Sequence, residues 1–118
     1  MSTHYDRQGN ALTFEEFLHK AKTQTKAERD AEHRVAADVL PNGYWVSTVH
    51  LGLDHSFGQG PPLIFETMVF PCDADGHVTS WSEEDCDRYS TEAGALAGHA
   101  AMVEKWRKPQ PSSDGERP

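Results

Sequence analysis

Phe14, Phe17, Leu18 and Ala21 recur at the three- and four-residue spacing that places side chains on one face of a helix. This stripe predicts a helix from about residue 13 into the mid-twenties. Its start is marked by Thr13, which can cap the first turn while Glu16 reaches back to close a capping box, with Leu12 and Phe17 as the accompanying hydrophobic staple. Residues 6–10 ahead of it read as a turn. Residues 23–33 are polar and compatible with helix but carry no apolar stripe, so the pattern leaves both an exposed extension and a linker open. The Val- and Ala-rich segment 34–40, the breaker Pro41-Asn42-Gly43 and the segment 44–51 then predict a hairpin. Tyr44, Val46, Thr48 and His50 share one face of its second strand, and Trp45, Ser47, Val49 and Leu51 share the other.

Three Gly and two Pro in residues 52–62 exclude regular structure and make this the longest irregular loop inside the domain, a kind of segment that often carries function. The most apolar run, residues 63–70, reads as a central strand interrupted by Glu66. Residues 71–76 form a turn. Residues 77–89 read as a polar, strand-like segment at the sheet edge, with Val78, Trp81, Cys86 and Tyr89 as its apolar points. Ser90-Thr91-Glu92 opens a second helix with Leu96, His99, Ala100, Val103 and Trp106 on one face, and Pro109 ends it. The order of elements predicts an α+β fold: an antiparallel sheet of three to four strands with the N-terminal and C-terminal helices packed on one face. Residues 1–12 are expected as a turn segment, 13–108 as a single domain and 109–118 as a disordered tail.

A chain of 118 residues suits one core without metal or disulfide staples. The net charge of −8 and the scattered Lys and Arg argue against direct nucleic-acid binding. No apolar run approaches the length of a membrane span, and no signal-peptide pattern opens the chain. Cys72 and Cys86 do not form a Cys-x-x-Cys pair and are expected as reduced thiols. A soluble protein of a cytoplasm, with no cofactor and no membrane partner, is therefore the expectation.

The densest group of reactive side chains is His50, Asp54 and His55, which offer imidazole and carboxylate ligands for a metal. Their spacing matches no established ligand motif, and a turn cap at Asp54 with solvent-facing histidines is the plainer reading. His99 lies on the apolar helix face, as a proton shuttle or as a core histidine bonded to a backbone carbonyl. Cys86 sits among Glu83, Glu84, Asp85 and Asp87, charges that raise a thiol pKa and oppose nucleophilic catalysis. The Gly58-Gln59-Gly60-Pro61-Pro62 segment lacks the Gly-Lys-Ser/Thr ending of a phosphate loop and leads into a strand. Gly94 and Gly98 allow another backbone to approach the second helix closely, and Trp45 or Trp81 can anchor a partner.

The stretches LGLDHSF (51–57), GPPLIFETMVF (60–70) and RYSTEA (88–93), with YDRQGNALTFEEF at 5–17, resemble a group of small uncharacterised proteins of actinobacterial bacteriophages and prophages. The resemblance implies a phage or prophage origin, expression in a bacterial cytoplasm, and a compact domain with no catalytic residues to carry over. His50 departs from that group, where an aromatic residue is expected, and residues 71–84 are longer than its usual hairpin connection. Taken together, the expectation is an accessory protein that acts by protein contact, with itself or with a host protein, through a loop of Asp54, His55, Phe57, Gly58, Gly60, Pro61 and Pro62. A small metal-dependent or acid-base enzyme using His50, Asp54 and His55 is the alternative from another class, and a minor virion component a third.

Overall fold

The computed structural model of the chain describes residues 4–56 and 60–108. Along them run β1 (His4–Tyr5), β2 (Ala11–Leu12), α1 (Phe14–Thr23), α2 (Lys26–His33), β3 (Arg34–Leu40), β4 (Tyr44–His50), β5 (Phe65–Pro71), β6 (Asp85–Tyr89) and α3 (Glu92–Arg107). The fold is α+β. Strands β3 to β6 form an antiparallel sheet in the order β3-β4-β5-β6, and β1 pairs with β2 in a separate antiparallel ribbon.

The hairpin at residues 41–43 forms because Gly43 takes φ +91°, a conformation that a side chain would strain, while its amide closes the turn onto the Leu40 carbonyl at 3.2 Å. Thr48 then pairs with Thr67 and Val46 with Val69, so alternate residues of β4 and β5 share a face. On that face α3 lies across all four strands. Leu40, Val46 and Val69 meet Met102, Val103 and Trp106 in one apolar cluster, and Ile64, Phe65 and Ala95 form a second with Tyr5, Val35 and Tyr89 against it.

The α3 face differs from the sequence expectation. Ala95, His99, Met102, Val103 and Trp106 are buried, whereas Leu96 is 49% exposed and Ala100 points outward. The cause is Gly98, which receives the Tyr89 ring: a Cβ built there would meet ring atoms at 2.2 Å. That close approach of a ring, not of a backbone, turns the helix so that Leu96 leaves the sheet.

Helix α1 opens with the expected capping box between Thr13 and Glu16, but it rests against β2 and buries no residue completely. Of the two helices expected on the sheet, α3 alone spans it. Residues 23–33 contain a helix of their own, α2, capped by a second box between Thr25 and Glu28. The N-terminal residues are tied to the domain: the Tyr5 amide donates to the Gly52 carbonyl at 2.8 Å, and Arg7 bridges Glu92 at 2.9 Å while donating to the Glu32 and Arg34 carbonyls. In residues 77–89 only the last five form a strand, at the sheet edge as expected. The expected tail, 109–118, lies outside the described residues.

The face of the sheet turned away from α3 carries Val39, Trp45, Phe70, Val49, Glu66 and Arg88. The connection between β5 and β6 folds back over one end of it. Trp81 sets its ring edge against Phe70 at 5.2 Å and Trp45 at 6.4 Å, and Gly76 sits beside Val39. Trp81 nevertheless stays 71% exposed and Val39 52%.

Candidate functional site

A cleft of about 300 Å³ opens between the β1–β2 ribbon, the α1–α2 pair and the end of β4. Tyr5, Leu12, Phe17, Ala21, Leu51 and Leu53 give it apolar walls. The α1 stripe thus faces this cleft through Phe17 and Ala21, and Phe17 stacks on His4 with centroids 4.1 Å apart.

His50 supplies the polar centre. It ends β4 on the same face as Val46 and Thr48, so its ring turns inward against Phe65 and is almost fully buried. Its backbone carbonyl is paired with His33 Nδ1 at 2.8 Å, its ring has a hydrogen bond with the Asp6 backbone, and its Nε2 is buried with no partner among the described residues. Burial, and then the neighbouring His33, hold its imidazole below the ordinary histidine value, so the ring is neutral at pH 7. Beside it, Lys20 and Gln24 both donate to the Glu32 carboxylate. Burial works to raise Glu32, but these two hydrogen bonds outweigh it and leave the carboxyl below its usual value.

The metal triad expected from the sequence does not assemble. His50 faces the cleft, whereas Asp54 is spent on its own loop: its Oδ1 accepts from the Ser56 amide at 2.7 Å and the Leu63 amide at 3.0 Å. Hydrogen bonds from Ser56 and Leu63 hold its carboxyl below the ordinary range, as suits the turn-capping role. The His55 amide closes the same loop onto the Leu63 carbonyl at 2.9 Å. Of the expected contact loop, Gly60 and Pro61 are exposed and Pro62 is half-buried, while Phe57 and Gly58 lie outside the described residues. Among the described residues, the three groups close enough to share a metal are instead Asp73, Asp75 and His77, all exposed, with Asp73 Oδ1 already accepting from the amides of the other two.

His99 lies in a buried polar layer between the two apolar clusters. Its Nε2 meets Asp38 at 2.7 Å, its Nδ1 meets the Thr48 hydroxyl at 2.7 Å, and Thr48 meets Thr67 at 2.5 Å. An ionised carboxylate only accepts, so Nε2–H donates to Asp38. In the tautomer that carries its proton on Nε2, Nδ1 accepts from Thr48, and the Thr48 oxygen can then accept from Thr67. Tyr89 extends the chain through its own hydrogen bond with Thr67, and burial pushes its phenol up. Carboxylate, imidazole and hydroxyl stand in the order of a hydrolytic triad. Thr48 is wholly buried, however, so its oxygen can meet no substrate, and the layer acts as a structural clamp. Neither Asp38 nor Thr48 was marked by the sequence, because the signal is a cross-strand register and not a motif.

Glu66 is buried and held by Arg88 Nε at 2.9 Å. Both cysteines are free, and burial followed by the Glu66 charge pushes the Cys86 thiol up to about 11, which leaves it a poor nucleophile. No helix among the described residues is long and apolar enough to cross a membrane. No protein family, curated protein or solved structure matches the chain.

Proposed function

We propose that the chain is a phage or prophage accessory protein that works by protein contact in a bacterial cytoplasm, and that its partner is a second copy of itself. The observation that carries this is the sheet face opposite α3, where Trp81 and Val39 are exposed beside Trp45 and Phe70. Charge favours a second copy over other occupants. One row across this face, Arg34-Val49-Glu66-Arg88, ends in arginines, and Glu66 neutralises one of them. At the other end, the β5–β6 connection carries Asp73, Asp75, Glu83 and Glu84, all exposed. Two copies stacked face to face about a twofold axis running across the strands bring each acidic end over the other's basic end.

Strands spaced about 4.8 Å apart with about 3.3 Å per residue give this face roughly 400 Å² in projection. That is small for a permanent interface, so the dimer is expected to be concentration-dependent. The contact surface is thus moved from the residue 54–62 loop, whose Asp54 is occupied in holding its own turn. The enzyme reading loses the residue set on which it rested, since His50, Asp54 and His55 do not gather.

The test is light scattering after a sizing column over a concentration series, on the parent and on Trp81→Ser. The mass of the parent should rise from one chain to two, and the variant should need higher concentrations to do so; Trp81 is exposed enough that its loss leaves the fold intact. A parent that stays monomeric throughout, or a variant that pairs equally well, removes the sheet face as the contact surface.

A further inference from the structure

Arg29, Glu32 and His33 of α2 line the cleft together, at the three- and four-residue spacing that puts side chains on one face of a helix. Two of the three are pinned. Glu32 accepts from Lys20 and Gln24 of α1, and His33 Nδ1 meets the His50 carbonyl at 2.8 Å. These ties seat the α2 face over the apolar walls. Of the lysine and the arginine in the lining, Lys20 is matched by Glu32, whereas Arg29 has no hydrogen bond or ion pair among the described residues. Its sequence neighbour Asp30 is bonded to Lys26 at 2.9 Å. We propose that this cleft is a binding site for a small monocarboxylate with an apolar body, of the size of a short fatty acid, whose carboxylate pairs with Arg29 while its chain lies among Leu12, Phe17, Leu51 and Leu53.

The cleft selects this class by size, lining and charge. A volume of about 300 Å³ stands at the small end of ligand pockets, with room for a single ring or short chain but not for a nucleotide. Leu12, Phe17, Leu51 and Leu53 offer such a body apolar contacts. Lys20 and Glu32 cancel, and the buried His50 imidazole is held neutral, so Arg29 supplies one positive charge that these groups leave unmatched. A guanidinium suits a carboxylate in shape as well as charge, because its planar fork can donate two parallel hydrogen bonds to the two oxygens. Arg29 is exposed, so the two charges meet where the cleft opens to water. Their attraction is therefore modest and screened by salt, and burial of the apolar body supplies the rest of the affinity. A second carboxylate on the ligand would have to lie among the leucines, which excludes a dicarboxylate of the same length.

The site is independent of the sheet face and is tested separately, with hexanoate and hexan-1-ol as a pair that shares a chain and differs in charge. Binding is followed by chemical-shift titration of the intact chain, into the range of about ten millimolar that so small a ligand requires. The expected result is that hexanoate moves the resonances of Leu12, Phe17, Leu51 and Leu53. In Arg29→Gln its affinity should fall about three- to fivefold while that of hexan-1-ol stays unchanged, and about 0.5 M sodium chloride should bring the parent down to the variant. Glutamine is as good a helix former as arginine and the position is exposed, so the variant keeps the fold. Hexanedioate should bind more weakly than hexanoate. No binding of hexanoate, shifts that leave the cleft residues unmoved, an equal loss of both compounds in Arg29→Gln, or a hexanoate affinity that ignores salt would overturn the proposal. Tighter binding of hexanedioate would overturn the apolar monocarboxylate class.

Discussion

At Gly98 two physical effects oppose each other, and their sizes decide the outcome. Alanine is the better helix former by about 1 kcal/mol, so a substitution judged on propensity alone would stabilise α3. The new Cβ, however, would lie 2.2 Å from the Tyr89 ring and 2.3 Å from its hydroxyl. The ring would have to swing away, opening the cluster around Ile64 and Phe65 and taking its hydroxyl from Thr67. Overpacking of this kind costs about 1–3 kcal/mol, so Gly98→Ala should lower the urea midpoint. Gly94→Ala, whose Cβ meets its nearest neighbour, Thr91 Oγ1, at 3.1 Å, should lower it less. His50 gives a second expectation. Burial, the largest cause, holds its folded pKa below 6.5, with His33 and Lys20 lowering it further and Glu32 and a hydrogen bond with the Asp6 backbone opposing them. Below 6.5 the unfolded chain therefore binds a proton at this site that the folded chain refuses, and stability falls as the pH drops from 6.5 towards the folded value. Asp54, Asp73 and Asp85 lose their stabilising hydrogen bonds only at lower pH, below the ordinary carboxylate value of 3.8. Denaturation between pH 7 and 5 should show the histidine slope in the parent and a flatter line in His50→Phe.

The elements were legible in the sequence where local rules dictate them. The capping box at Thr13 and Glu16, the turn at Gly43 and the apolar run into β5 each depend on residues within a few positions, and each forms. A second box, Thr25-Lys26-Ala27-Glu28, is equally local, but α2 has no apolar stripe to announce it. That helix stands on its caps, on the pair Lys26–Asp30 at 2.9 Å and on the tie of Glu32 to α1. What the sequence could not supply is anything set by residues far apart in the chain. His50 and Asp54 are four positions apart, but the loop carries Asp54 into its own turn while β4 carries His50 under α1 and α2. The converse holds for Asp38, Thr48, Thr67 and His99, which only the sheet register and the crossing of α3 bring together. The buried face of α3 departs from its apolar pattern for the same reason, since Leu96 gives way to a tyrosine from another strand.

Over the whole molecule, the two faces of the sheet carry different burdens. The face under α3 holds both apolar clusters and the polar layer between them, and so accounts for the fold. The opposite face gives the fold only a partial cover from the β5–β6 connection, while keeping aromatic surface open and its charges sorted to opposite ends. A chain with a net charge of −8 repels its own copies at long range, so self-pairing requires that the charges meeting at the contact be opposite. This gives a test that a merely sticky patch would fail. Arg34→Glu places a negative charge under the acidic connection of the second copy and should weaken pairing, and Glu83→Lys should weaken it likewise from the other end. Both residues are exposed, so neither change threatens the fold. Mixing the two single variants should restore pairing at both contact ends, through the two reversed charges at one and the two native charges at the other, and combining both changes in one chain should restore it at both ends through reversed charges alone. Sedimentation of the four proteins at low salt reads this directly. If the combined variant pairs no better than either single one, the two ends do not meet across the interface, and an arrangement with like ends stacked replaces the one proposed.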